Sequence, residues 1–298
     1  MATLRDIRAR ISGVKSTQKI TKAMKMVSAA KLRRAQDAII ATRPYAGKLR
    51  ELLQYLSGIV DVTQFPQFED RPVNRVAVVI VAGDRGLCGA FNSNLFRVAV
   101  HHLNANYASL MAEGKVDIIT VGRKSSEFFG KRNYNVVSRY SGIFSGLQFS
   151  VAHTIADEVT RGFLNGTYDK VEVIYNEFKS IAQQHTTVEQ VLPITTLDAK
   201  GDAGAAKKAA VDYIYEPTST EIVKALVPKH LDFLFWRVVL ESNAAEQGAR
   251  MRAMDNATNN ANDMIRSLQL SYNKARQASI TKELLEIVSG AEALKAAS

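Results

Sequence analysis

ESNAAEQGARMRAMDNATNNAND, residues 241–263, is the stretch on which the fold turns. It is alanine, asparagine and charge, with almost no large apolar side chain. It nevertheless lies inside 61 residues, Lys229 to Ser289, that contain no proline and a single glycine, Gly248. Read as one helix, that run is about 90 Å long at ~1.5 Å per residue. A compact chain of this size has a radius of gyration of only ~19 Å. Such a helix is expected to protrude. A helix this polar all round is weakly held unless something encloses it.

The opposite end of the chain supplies a partner. Leu4, Ile7, Ile11 and Val14 mark an apolar stripe at helical spacing, followed by Ile20, Met24 and Val27 and then Leu32, Ala35 and Ile39. The steps predict one long helix with a register shift around residues 17–19. Pro44 is expected to kink or end it near Thr42, with the pattern resuming through Leu49, Leu52, Leu53 and Leu56. The C-terminal stripe runs Leu231, Leu234, Val238, Ala245, Ala261, Ile265, Leu268, Tyr272 and Ala275. Two long stripes at the two termini predict an antiparallel coiled-coil pair. Two long helices lying on a sheet are the plainer alternative, and length and low apolarity count against it.

Between the termini the character changes after the linker VTQFPQFEDRPVN. RVAVVIVAG, VDIITVG, YNVVSR and KVEVIYNEF read as strands, and residues 94–114 and 150–166 as helices between them. The alternation predicts a Rossmann-like α/β domain. The expected organisation is an N-terminal coiled-coil helix over 1–58, a linker over 58–74, an α/β domain over 74–212 and a C-terminal coiled-coil helix over 213–298. AKGDAGAAKKAA, within the third segment, reads as a surface loop.

Charge and composition narrow the function classes. The net charge is +10, yet residues 1–50 alone hold 13 Lys and Arg against Asp6 and Asp37. The excess therefore sits in the first helix, densest in ITKAMKMVSAAKLRRAQ, residues 20–36. One cysteine, Cys88, excludes an intrachain disulfide and a cysteine-based zinc cluster. No apolar run reaches the ~18–20 residues of a membrane span. The arginine-rich start begins a sustained helical pattern and reads as mature structure, which predicts an intracellular, soluble or peripheral protein.

GDRGLCGAFN, residues 83–92, follows the first strand and precedes a helix, where phosphate loops sit. Its G-x-x-G-x-x-G spacing is neither the dinucleotide fingerprint nor a P-loop. The expectation is a tight turn with glycines at positive φ. His101 and His102 are adjacent and face different sides of a helix, and no H-E-x-x-H is present, so no catalytic or metal site is supported. Nucleic acid is a competing partner for the basic helix, as in a basic region joined to a zipper. Residues 1–44 contain no aromatic residue to stack on bases, however, and the cations lie on several faces. A membrane surface fits less well, because the helix lacks Trp, Phe or dense Leu. An acidic protein surface remains.

Three segments then carry a family likeness: LRDIRARISGVKSTQKITKAMKMVSAAKLRRAQ, DRGLCGAFNSNLF and YNKARQASITKELLEIVSGAEAL. Together they closely resemble the γ subunit of F-type ATP synthases, in order and across essentially the whole chain. The resemblance implies a central-stalk rotor without catalytic residues or cofactor of its own. Its partners would be the α and β subunits of the catalytic ring, the ε subunit and the c-ring of the membrane sector, with no nucleic acid. Its place would be peripheral, on the cytoplasmic side of the cell's inner membrane, through the c-ring. Met24 matches a methionine near the acidic lever loop of β, with Lys22 and Lys25 beside it. Arg276 and Gln277 match a pair that catches β, and Arg250, Thr281 and Glu283 match further coupling positions. Tyr213, Tyr215 and Glu216 resemble the foot on the c-ring and ε. The cysteine-containing insertion of chloroplast forms is absent, which favours a bacterial origin.

Overall fold

The computed structural model describes residues 3–61, 64–180, 183–194 and 215–296. Two compact units divide the chain, Met1–Ser28 with Met251–Ser298 and Ala29–Arg250. Helices α1 (Leu4–Ser57) and α6 (Ser219–Ala296) contribute to both.

The smaller unit is a helix pair, and its register is antiparallel. Arg8 Nη2 donates to Tyr272 Oη at 2.7 Å, Gln18 to Asn262, Thr21 Oγ1 lies 2.8 Å from Thr258 Oγ1, and Lys25 Nζ is 2.6 Å from Asp255 Oδ1. Each pair sums to 279 or 280, so a residue gained on one helix is a residue lost on the other. Along α1 the inward positions are Ile7, Ile11, Val14, Gln18, Thr21, Lys25 and Ser28. On α6 they are Met254, Thr258, Ala261, Ile265, Leu268, Tyr272 and Ala275. Both sets alternate steps of three and four, an unbroken heptad seam.

This corrects the expected register shift at 17–19. Following apolar residues moved the stripe onto Ile20 and Val27, which are 60% and 57% exposed. The helix instead holds its phase and turns polar residues inward, Thr21 at 8% and Ser28 at 2% exposure. For Thr21 the bond to Thr258 makes that possible, because a buried hydroxyl with a partner escapes the desolvation cost of an unpaired one.

The larger unit is built on a five-stranded sheet in the order β3-β2-β1-β4-β5. The strands are β1 (Val76–Val81), β2 (Val116–Val121), β3 (Asn135–Tyr140), β4 (Lys170–Phe178) and β5 (Gln184–Leu192). β1 pairs in parallel with β2 and β4, and β2 with β3, while β5 runs antiparallel on β4. β1 and β2 are buried along their whole length, as central strands of a two-sided parallel sheet are, β2 taking in the polar Asp117 and Thr120. β3, at the edge, alternates exposed and half-buried.

On one sheet face, Val76, Val78, Ile80, Ile118 and Ile174 pack on α2 (Phe91–Asn106) and on Phe129 of α4 (Arg123–Gly130). The short helix α3 (Ala108–Ala112) follows α2, so the segment read as one helix is two, broken at Tyr107. On the other face, Ala77, Val79, Val81, Val171 and Val173 meet α5 (Phe149–Leu164). Leu49, Leu53 and Leu56 of α1 and Val223, Val227, Leu231 and Phe235 of α6 complete that core.

The same core explains why α1 does not end near Thr42. Pro44 sits inside the helix, which continues to Ser57. A mid-helix proline costs about 3 kcal/mol. Burying Leu49, Leu53 and Leu56 contributes about 1.5–3 kcal/mol each, which outweighs it.

Candidate functional site

Residues 241–263 belong to both units, dividing at Arg250. The first part, up to Arg250, lies over the carboxyl ends of β1 and β4. Ser242 Oγ donates to Val81 O at 3.4 Å. Ala245 and Ala249 pack with Cys88 and Phe91, and Ala244 with Leu32 and Ala35, while Phe178 at the end of β4 borders both clusters. Alanines bring the helix close here, which is why a segment poor in large apolar residues is still buried.

Two charges go into this contact. Glu246 is 3% exposed and accepts from Arg250 Nη2 at 2.5 Å. The same guanidinium donates to Arg85 O and Gly86 O, each at 3.3 Å. Burial pushes the Glu246 carboxyl above the usual range, with Arg250 pulling it back. The Cys88 thiol is likewise raised by burial.

The glycine loop is a turn, but only in part as expected. Of its three glycines only Gly89 has a positive φ, 61°, and Leu87 adopts φ 62° beside it. Gly83 is needed for a different reason: a Cβ there would lie 2.8 Å from Glu246 Cδ. Asp84 secures the loop by accepting from Arg123 N and Gly142 N through Oδ1, at 2.9 and 2.8 Å, and from Phe144 N through Oδ2, at 3.0 Å. Phosphate-binding loops leave their backbone N–H groups open to a ligand. Here Gly83 N is taken by Asn92 Oδ1 at 3.0 Å. No cluster of three His, Cys, Asp or Glu suited to a metal occurs among the described residues, nor any helix long and apolar enough to cross a membrane.

The residues singled out by resemblance fall into three settings. Lys22, Arg276, Gln277, Thr281 and Glu283 are exposed, and Met24 is half-buried. Thr281 Oγ1 donates back to Gln277 O at 3.0 Å. Lys25 and Arg250 have partners within the chain, Asp255 and Glu246. Tyr215 packs at the edge of the larger core and Glu216 is exposed, while Tyr213 lies outside the described residues. Sequence reasoning missed Glu246. A Glu and an Arg four apart on an alanine-rich helix face were its only trace.

The chain thus comprises a heptad-paired helix unit and an α/β unit whose strand ends are covered by its own helix. The family described as ATP synthase matches residues 3–294, and the chain belongs to it. The chain is 54% identical to the ATP synthase gamma chain of Chlorobaculum tepidum over 296 residues, 99% of this chain and all of that one. It is equally similar to the gamma chain of Prosthecochloris aestuarii, over 99% of both chains. Among solved structures, a chain of the Tetrahymena thermophila mitochondrial ATP synthase central stalk and c-ring aligns with a TM-score of 0.59 and 26% identity, over 80% of this chain and 99% of that one. A chain of the Euglena gracilis mitochondrial ATP synthase shares the fold with a TM-score of 0.68 at 20% identity, over 98% and 95%. The nucleic-acid reading finds no support among these relatives.

Proposed function

We propose that this chain is the rotating central-stalk subunit of an F-type ATP synthase. It couples transmembrane proton flow to ATP synthesis, and in reverse to hydrolysis, at sites held by neighbouring β subunits. The observation that carries the reading is the antiparallel heptad seam in a chain 54% identical, end to end, to bacterial gamma chains. The chain itself supplies no catalytic group. Its work is to present different faces in turn to a ring of α and β subunits.

In this reading residues 1–58 and 213–298 supply the shaft helices and 74–212 the α/β domain. Tyr213, Tyr215 and Glu216 form the foot toward ε and the c-ring, which holds the chain peripherally on the cytoplasmic side of the inner membrane. Lys22 and Met24, with Arg276, Gln277, Thr281 and Glu283 farther along α6, meet β. Lys25 and Arg250 act from their internal pairs. The exposed cations Lys22, Arg33 and Arg34 guide acidic β loops without trapping them, since exposed ion pairs contribute only about 0–1 kcal/mol each.

Purification from native membranes is the direct test. Recovery with a ring of larger nucleotide-binding subunits is the expected result, and recovery with nucleic acid instead would refute the rotor. Neutralising Lys22, Lys25, Arg33 and Arg34 together is expected to lower ATP-driven proton pumping. Unchanged rotation and pumping would remove the guiding role.

A further inference from the structure

Open α/β sheets take ligands outside the carboxyl ends of their strands, at the point where successive connections lead to opposite sides. In the order β3-β2-β1-β4-β5 that point lies between β1 and β4. It is filled by α6. Ser242 bonds the end of β1, Phe178 at the end of β4 borders the alanine contacts, and Glu246 presses on Gly83.

The details exceed what filling a crevice requires. An alanine face would fill it without charges. Instead a buried carboxylate holds a buried guanidinium, and the guanidinium caps two carbonyls of the loop behind β1. Glu246 Oε2 has no hydrogen-bond partner among the described residues, an expense that packing alone does not explain. The groups facing the carboxylate are Arg250, Asp84 and Lys31. Gly83 has no Cβ to hold the helix away, and Asp84 stiffens the loop from its far side through three backbone N–H groups.

We propose that this contact is a torque-bearing joint between α6 and the α/β body, and that Glu246 is its positioning residue. The proposal rests on the rotor reading. A rotor must pass twist between helix and body without slip. Alanine contacts have no direction and allow sliding, whereas a charged, bifurcated grip has one geometry. Breaking it would strand a buried charge, which is costly. A ligand crevice has thus become a keyed joint.

The test uses the assembled complex in membrane vesicles, with ATP hydrolysis and proton pumping measured on the same preparation. Glu246→Ala is expected to keep hydrolysis within about twofold while pumping per ATP falls about fivefold or more. Glu246→Gln, whose amide oxygen still accepts from Arg250 but brings no charge to it, is expected to pump between wild type and Glu246→Ala. In a Cys88→Ala background, Gly83→Cys with Glu246→Cys replaces the grip by a disulfide when treated with a mild oxidant. Oxidation is expected to restore pumping and reduction to abolish it. The joint is overturned if Glu246→Ala pumps per ATP as wild type does. It is equally overturned if the oxidised and reduced cysteine pair pump alike, a comparison that stands even where Glu246→Ala fails to assemble. The wild-type chain is the separate control. Absence of ATP-driven pumping with it refutes the rotor reading rather than the joint.

Discussion

The Lys25 ammonium lies 2.6 Å from Asp255 Oδ1 on the opposite helix, with 40% of the side chain still exposed. The residue pattern told its charge and its helix, but not its direction, because direction depends on a heptad phase that the apolar residues alone misreport. Gly122 shows the converse, a demand invisible in sequence. Its φ is 91° and an added Cβ would stand 2.0 Å from Ala82 O. Gly122→Ala is therefore expected to destabilise the larger unit by roughly 3 kcal/mol, through backbone strain and overpacking together, as read by denaturant unfolding. His153 offers a pH test. Its hydrogen bond to Asp232, at 2.9 Å, raises its pKa, with Asp157 adding a smaller push the same way. A raised histidine stabilises fully below its unfolded value near 6.5, and that contribution is lost as pH climbs through the higher folded value. Thermal midpoints should fall across that window in the native chain, and Asp232→Asn should flatten the slope.

Elements tell a similar story with different exceptions. The strands β1, β2 and β4 were legible because buried parallel strands are dense in Val and Ile, and the edge strand β3 through its β-branched pair Val136 and Val137. β5 was missed, since QHTTVEQVL is a half-buried antiparallel edge without such a run, and α4 because RKSSEFFG buries only Ser125 and Phe129. α1 was legible from its apolar stripe as far as Pro44, and α6 from the proline-free run Lys229–Ser289, although the interior of their seam was not. The seam's hydroxyl pair can be measured. Removing one partner of a buried hydrogen bond leaves the other unsatisfied, whereas replacing both can be nearly neutral. Thr21→Val alone is expected to cost about 1 kcal/mol, and Thr21→Val with Thr258→Val less than the sum of the two single changes. Pro44→Ala restores a backbone donor inside α1 and should raise stability by about 1–3 kcal/mol, seen as a higher denaturation midpoint.

At the scale of the molecule, apolar burial is unequal. The larger unit holds two extensive cores on the faces of its sheet, while the smaller unit relies on a thin seam of alanine, hydroxyl and isolated Ile or Leu. Backbone amides of β1 and β2 should exchange hydrogen far more slowly than those of residues 262–290, as mass spectrometry of deuterated chain would show; equal protection would contradict the distribution of burial. The thin seam carries one more consequence. A contact repeating every 3.5 residues, on helices that prefer 3.6, favours a left-handed winding of one helix about the other. Chirality makes such a pair respond unequally to rotation. Twist in one sense tightens the winding and presses Thr21 toward Thr258, and twist in the other opens it. A shaft driven one way during synthesis and the other during hydrolysis is thus two different springs, distinguished only by the sign of the load.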